Sequence, residues 1–397
     1  MQACQYSLRQ GEARRARGPP RSQQPVKFTA TPFRIYWVAT WNRNPSRATE
    51  DPAPRVVGLP ISRIRTPVRG DVLLTVPRIT VVGSYAIGLT MKVVRMPSIG
   101  ETLLGTGYRV DYGGKGSNQA VGCARLGAHV SFVARIGTDP FGEMALGLYR
   151  DEGIDTTHVK RTADAPTGVG FIIVETASGH NCITIDPGAN ELLTAADVAQ
   201  CEAAFNSPAV VLTQLEIPVA AAEAALGRGR ERGAITILNP APVRPLPPSI
   251  LQLVDVLTPN QSEAQVLAGL SPGTDVEPEA VARRLIRSGV KQVVMTLGEN
   301  GALIVTDKSS IRVPAVSMSA VDTTGAGDAF NAGLAIALAC GASLEEAVPF
   351  AAVTGGLAVT QEGVIPSLPN RDDVLQFYRK QDLHPPNWFL ADPSGKV

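Results

Sequence analysis

The sequence predicts an α/β fold in which helices flank a mostly parallel central sheet, with a small β-sheet lid added to it. Three observations predict this. From residue 78 onward, short β-branched runs alternate with helical ones, the pattern of parallel βαβ units covered on both faces. Two strand-rich stretches, about residues 101–113 and 167–187, interrupt that rhythm. Finally, clusters of small residues stand where loops lead into helices, the places where a backbone can approach an anion closely.

Each element follows from its residues. "ITVVGSYAIG", residues 79–88, is a compact apolar run ending in Gly and reads as a buried first strand. "VSFVARIG" precedes the amphipathic "FGEMALGLYRDEG", and "AVVLTQLE" precedes "PVAAAEAALGRGRERG". "AITILNPAP" and "VDVLTPN" are followed by "QSEAQVLAGL", and "KQVVMTLGENG" closes the series. The interrupting stretches, "ETLLGTGYRVDYGG" and "TGVGFIIVETASGHNCITID", read as neighbouring antiparallel strands, the second a hairpin around Ala177, Ser178 and Gly179. Ligands bind outside the strand C-terminal ends of such sheets, so an inserted small sheet suits a lid. A structural hairpin or a dimer contact is the alternative.

Composition bounds the function. A chain of 397 residues allows two domains, or one large domain with an elaboration. Hydrophobic residues are 44%, yet no run approaches the ~18 apolar residues of a membrane span, so no membrane partner is expected. Cys4, Cys123, Cys182, Cys201 and Cys340 are scattered with no C-x-x-C pair, a pattern of reduced thiols in a cytoplasmic protein. The net charge of +1 hides an asymmetry: residues 1–70 hold 13 Lys and Arg against 3 Asp and Glu, leaving 24 against 33 in the remainder. That acidic body gives no reason to expect nucleic acid as a partner.

The Arg-rich opening, residues 1–76, has many prolines and no sustained apolar period, and reads as disordered. An organelle transit peptide, a regulatory tail and translation from a start codon placed too far upstream all match it. It lacks the apolar core of a secretory signal.

Two glycine clusters carry the chemistry. "YGGKGSNQA" leads into a helix, placing Gly113, Gly114 and Gly116 where free N–H groups point outward. It matches neither spaced nucleotide-binding glycine motif, and a tight turn that packs a helix on its strand explains it equally well. "DTTGAGDAFNAGLAIALACG" says more. Free N–H groups of Gly325, Ala326, Gly327 and Asp328 at a helix start suit an anion, and the helix dipole adds partial positive charge. An acid in the first turn can simply stabilise a helix. Beside an anion hole, however, the Asp328 carboxylate can take a hydroxyl proton while the amides stabilise charge on a transferring phosphoryl group.

From about residue 78 to 378 the chain resembles the ribokinase-like, phosphofructokinase-B type family of carbohydrate kinases. The resemblance rests on "GGKGSNQAVGCARLGAHVSFVARIGTDPFG" and "VDTTGAGDAFNAG", with "TGVG", "PGAN", "QLE", "NPAP", "TPNQSEA" and "TLGENG" between them in the family's order. It implies a kinase domain over residues 77–380, a C-terminal tail over 381–397, and transfer of the ATP γ-phosphoryl group to a primary sugar hydroxyl. The implied cofactors are Mg²⁺ and an activating K⁺. Asp328 becomes the base, and Gly325, Ala326 and Gly327 the anion hole. Gly114, Lys115, Asn118 and Glu216 match sugar-holding positions. Asn260 and Glu263 match an N-x-x-E motif that serves the ATP phosphates and hydrated Mg²⁺. Thr296, Leu297, Gly298, Glu299, Asn300 and Gly301 match the turn beside adenine and ribose, and Gly327 also serves the nucleotide. For K⁺ the matching oxygen donors are Asp322, Thr324, Ala358, Gln361, Gly363 and Ser367.

One departure stands out. Members of the family that act on ribose carry Asn and Asp in a G-S-x-N-x-D pattern, where this chain has Ala86 and Gly88. Ribose, giving ribose 5-phosphate, is the substrate implied best, with a deoxysugar, a modified sugar, a nucleoside or a catalytically idle sugar sensor as alternatives. The alternation in "GVGFIIVE" suggests a lid face that pairs with a second copy, hence a homodimer.

The compositional break near residue 70 generates a first prediction. A chain beginning at Val72 should keep the thermal midpoint and specific activity of the full chain, measured by circular dichroism and a coupled kinase assay. Loss of soluble protein would show that the segment packs on the body.

Overall fold

The computed structural model describes residues 76–390; the expectations for residues 1–75, and for 391–397 of the tail, lie outside the described residues. The strands in chain order are β1 (Arg78–Val82), β2 (Ala86–Val93), β3 (Thr106–Gly113), β4 (His129–Gly137), β5 (Val159–Thr162), β6 (Gly168–Glu175) and β7 (Asn181–Asp186). They are followed by β8 (Val210–Thr213), β9 (Ile235–Leu238), β10 (Val256–Leu257), β11 (Gln292–Thr296), β12 (Ala302–Val305) and β13 (Ser310–Val313).

Nine of them form the main sheet in the order β13-β12-β11-β10-β9-β8-β1-β4-β5. The run from β5 to β11 is parallel, and β12 and β13 extend one edge antiparallel. Successive side chains of a strand point to opposite faces. Accordingly Ile79 and Val81 join one core, with the Ala326–Ala339 and Leu344–Ala358 helices. Val82 joins the other, with the Val219–Glu231 and Pro278–Arg287 helices. Helices thus cover both faces, as the alternating pattern predicts. Among the described residues no helix is long and apolar enough to cross a membrane.

β1 lies between β4 and β8, so the chain builds the sheet to one side of β1 through β4 and β5 and then crosses to the other side at β8. In parallel sheets the crevice outside the strand C-termini at such a reversal is the ligand site. Ser84, Glu216, Asn239, Asn260 and Leu297 all follow the C-terminal ends of parallel strands, on this one edge.

The smaller sheet has the order β3-β2-β6-β7. Here the structure corrects two expectations. The run at residues 79–88 is not one strand: β1 ends at Val82, and β2 begins at Ala86 in the other sheet. The link is pinned by Asn190, whose Oδ1 accepts from the Tyr85 N–H at 2.9 Å while its Nδ2 donates to the Tyr85 carbonyl at 2.8 Å. The two strand-rich stretches are also not neighbours, because β2 lies between them, antiparallel to β3 and parallel to β6. The hairpin around residues 177–179 does form, joining β6 to β7.

The expected tail also differs in part. The Asn387–Leu390 turn returns to the body, where Phe389 is buried with its ring centroid 4.7 Å from that of Phe350. Its aromatic side chains have apolar surface to bury, which a solvated tail lacks.

Candidate active site

Asp328 stands in the first turn of the Ala326–Ala339 helix and is buried. Both of its oxygens are held. Asn118 Nδ2 donates to Oδ2 at 2.8 Å, and Gln119 Nε2 donates to Oδ1 at 2.9 Å. These amides come from the Lys115–Arg125 helix, so two helix N-termini meet on one carboxylate.

The helix start at Gly325 has φ +84°, and a methyl there would sit 2.6 Å from Val364 Cγ1. Only Gly takes this left-handed turn without strain or collision. The Ala326 N–H donates to the Thr323 carbonyl at 3.3 Å and closes the turn. It is therefore spent, contrary to the expectation that all the N–H groups here face a ligand. Among the described residues the N–H groups of Gly325, Gly327 and Asp328 meet no acceptor, as first-turn donors do unless something caps them. Space opens over Gly327, where an added Cβ would meet nothing within 4 Å.

Gly114, at φ +87°, starts the Lys115–Arg125 helix against the Tyr85 backbone, leaving 2.6 Å between an added Cβ and Tyr85 Cα. This close approach brings the Lys115 N–H onto Glu216 Oε2 at 2.8 Å, where Ser84 Oγ also donates at 2.6 Å. Glu216 keeps its second oxygen for other donors. Burial lowers the Lys115 pKa, but Asp328, Glu216 and Glu263 outweigh it and hold the ammonium above its ordinary range. One cation thus stands among three carboxylates.

Asn260 and Glu263 form a capping box on the Gln261–Leu267 helix: Asn260 Oδ1 accepts from the Glu263 N–H and Glu263 Oε2 accepts from the Asn260 N–H, each at 2.8 Å. Burial raises the Glu263 pKa, opposed by the Asn260 N–H and Lys115 and reinforced by Asp328. One Glu263 oxygen is left over from the cap. Thr296 ends β11, and Leu297, Gly298, Glu299, Asn300 and Gly301 make the turn into β12, closed by the Leu297 N–H on the Gly301 carbonyl at 2.8 Å. Gly298, Glu299 and Asn300 are exposed.

The segments carrying the remaining residues also converge. Asp322 accepts from the Thr324 N–H at 2.9 Å and the Gly363 N–H at 3.1 Å. Burial raises its pKa, but these donors and the Arg109 charge hold it below the ordinary carboxylate value. Ala358 ends its helix, leaving a carbonyl without an intrahelical donor. Ser367 Oγ donates to the Val364 carbonyl at 2.9 Å, keeping its lone pairs free, whereas Gln361 is exposed.

Sequence reasoning missed the amide chain behind Asp328. Gln214 Nε2 donates to Gln119 Oε1, and Gln119 Nε2 also reaches Asn239 Oδ1 at 3.1 Å. The available signal was the pair of consecutive amides, Asn118 and Gln119, in a helix otherwise mostly of small residues.

A carboxylate with both oxygens held, beside unspent N–H groups over open space, fits phosphoryl transfer to a hydroxyl. Residues 76–371 match the pfkB family of carbohydrate kinases. The chain belongs to this family. It is 37% identical over 299 residues to the ribokinase of Haemophilus influenzae, covering 75% of this chain and 97% of that protein. It is 33% identical to a deoxyribokinase of Salmonella typhi, covering 75% of this chain and 98% of the relative. The Arabidopsis thaliana ribokinase solved with ribose and ATP superposes with a TM-score of 0.70 at 31% identity, over 76% of this chain and 98% of that one.

The turn at Gly325 gives the second prediction. Gly325→Ala should lower the thermal midpoint by roughly 2–8 °C through strain at a positive φ. It should also lower kcat more than it raises the KM for ATP, in melting curves and steady-state kinetics. An unchanged kcat in the folded variant would remove the turn from the catalytic apparatus.

Proposed function

We propose that this carbohydrate kinase transfers the γ-phosphoryl group of ATP to the primary hydroxyl of ribose, giving ribose 5-phosphate. The observation that carries the chemistry is the Asp328 carboxylate, fixed by Asn118 and Gln119 next to the free N–H groups of Gly325, Gly327 and Asp328. Asp328 takes the hydroxyl proton as the sugar oxygen attacks the γ-phosphorus. The new O–P bond forms as the bond to the β-phosphate oxygen breaks, and ADP leaves. The free N–H groups stabilise negative charge on the transferring group, and because they are already oriented they cost little reorganisation. Glu216 and Lys115 line the acceptor side, while the turn at residues 296–301 serves the nucleotide. The ribokinase relatives and the similarity to a ribokinase solved with ribose and ATP support ribose as the acceptor. The deoxyribokinase relative, together with Ala86 and Gly88, favours 2-deoxyribose as the second reading.

The residues fit the expected ions. Mg²⁺ keeps most of its waters and needs few protein ligands, so the Glu263 oxygen left over from the cap is sufficient to hold it. Bound with ATP, it would neutralise charge on the phosphates. For K⁺, the Asp322 carboxylate, the Thr324, Ala358, Gln361 and Gly363 carbonyls and the Ser367 hydroxyl are an all-oxygen set on segments that Asp322 ties together. A cation there would order the loop that carries Gly325. We further infer a cytoplasmic protein, in keeping with free Cys123, Cys182, Cys201 and Cys340. A homodimer through the lid fits the exposed Tyr108 and Phe171.

Two predictions test this function. Asp328→Asn should lower kcat on the order of 10²-fold or more while ATP still binds, by kinetics and calorimetry across ribose, 2-deoxyribose, fructose derivatives and adenosine. Turnover within a few-fold of wild type would refute Asp328 as the base, and silence of the wild type on every acceptor would favour a sensor. Exchanging Na⁺ for K⁺ at constant ionic strength should raise the rate, and equal rates would count against the cation site.

A further inference from the structure

On one face of the lid a single carboxylate stands among positions that carry almost no side chain. Ala86 and Gly88 of β2 lie opposite Gly113 and Asp111 of β3, and opposite Gly168 and Gly170 of β6. Residues paired across strands project to the same face. Within that block only Asp111 has a side chain longer than a methyl. A Cβ built on Gly88 would stand 4.0 Å from Asp111 Cβ, as a shared face requires.

Arg109 shows which way this face looks. It lies two residues along β3 from Asp111, so it shares the face. Its guanidinium donates to Glu362 at 2.6 Å, next to Gly363, whose N–H donates to Asp322. The Arg109 charge also acts on Asp322 itself, two residues before Thr324 and the turn that presents Asp328. β3 then runs directly through Gly113 and Gly114 into Lys115, which feels Asp328 and Glu216. The face therefore turns towards the phosphoryl-transfer site.

Asp111 has acceptor capacity to spare. Its Oδ2 lies 3.3 Å from Arg109 Nε, which makes no hydrogen bond, and no donor among the described residues hydrogen-bonds the carboxylate. An ionised carboxylate offers about four lone-pair positions, which suits neighbouring sugar hydroxyls. A second carboxylate at position 88 would stand directly opposite and repel it. The two placements are therefore alternatives, and the bare β2 positions leave room for a ligand beneath Asp111.

We propose that Asp111 accepts hydrogen bonds from the sugar hydroxyls, supplying from β3 the acceptor that the family's G-S-x-N-x-D pattern places on β2, and so sets the sugar preference of this enzyme. The proposal rests on the sugar-kinase reading above. Gly88 does not have a positive φ, and a Cβ there meets Ile172 Cδ1 at 3.4 Å, an ordinary contact, so the group can be moved back to β2 experimentally.

The experiment compares the wild type, Asp111→Ala, Asp111→Asn and Asp111→Ala with Gly88→Asp, using ribose, 2-deoxyribose and 3-deoxyribose. Asp111→Ala should raise the KM for ribose about 10-fold or more, the usual effect of losing a hydrogen bond to a charged group, with the KM for ATP unchanged. The rise should be smaller for the deoxy sugar that lacks the hydroxyl Asp111 holds. Asp111→Asn should lie between, and Gly88→Asp should recover much of the ribose KM. Equal KM increases for all three sugars would mean a structural role and overturn the proposal, as would a KM for ribose within about twofold of wild type in folded Asp111→Ala. If the wild type phosphorylates none of these sugars, the substrate reading fails first and the proposal falls with it.

Discussion

The site depends on one buried carboxylate gripped from two distant parts of the chain. Asn118 and Gln119 donate to Asp328 across more than two hundred residues of sequence, so the bond exists only when both ends of the domain are in place. A buried charge without partners is costly, and here two amide donors satisfy it. The same contacts aim the carboxylate. Folding and the geometry of the proposed base are therefore specified by the same atoms.

Behind that carboxylate the polar network continues through the sheet edge. Gln214 follows β8, Asn239 follows β9 and Thr258 follows β10; Asn239 donates to the Thr258 carbonyl at 3.0 Å, and Thr258 Oγ1 donates to Asn331 Oδ1 at 2.6 Å. Each strand end thus contributes one buried polar group, and the series returns to the helix that carries Asp328. These bonds rigidify the edge, although Asn118 Oδ1 and Gln214 Oε1 meet no donor among the described residues.

Much of this was legible in the sequence, for identifiable reasons. Parallel strands buried on both faces read as continuous apolar runs, so β1, β4, β8, β9 and β11 were visible. β2 was hidden because the link at residues 83–85 is only three residues long, and the pin that fixes it, Asn190, is 105 residues away from Tyr85. β5 and β13 are four-residue strands with charged members, too short to show a period. In the site, Asp328 and its glycines announced themselves by local chemistry. Gln119 and Gln214 did not, because an amide's role is decided by the partner it meets in the fold. Nor did Asp111, whose significance depends on the register that sets it opposite Gly88.

The pinned link at Tyr85 has a mechanical consequence. Asn190 also donates to the Pro187 carbonyl at 2.8 Å, so it ties the root of β2 to the end of β7, while the Ala189 N–H bonds the Pro166 carbonyl just ahead of β6 at 2.7 Å. The roots of β2, β6 and β7 are thus tied to one another through Tyr85, Pro166, Pro187, Ala189 and Asn190. The hairpin tip at residues 176–180 lies at the opposite end of β6 and β7 from these ties. A ligand seated near Ala86 and Gly168 would therefore meet the most firmly held end of the sheet.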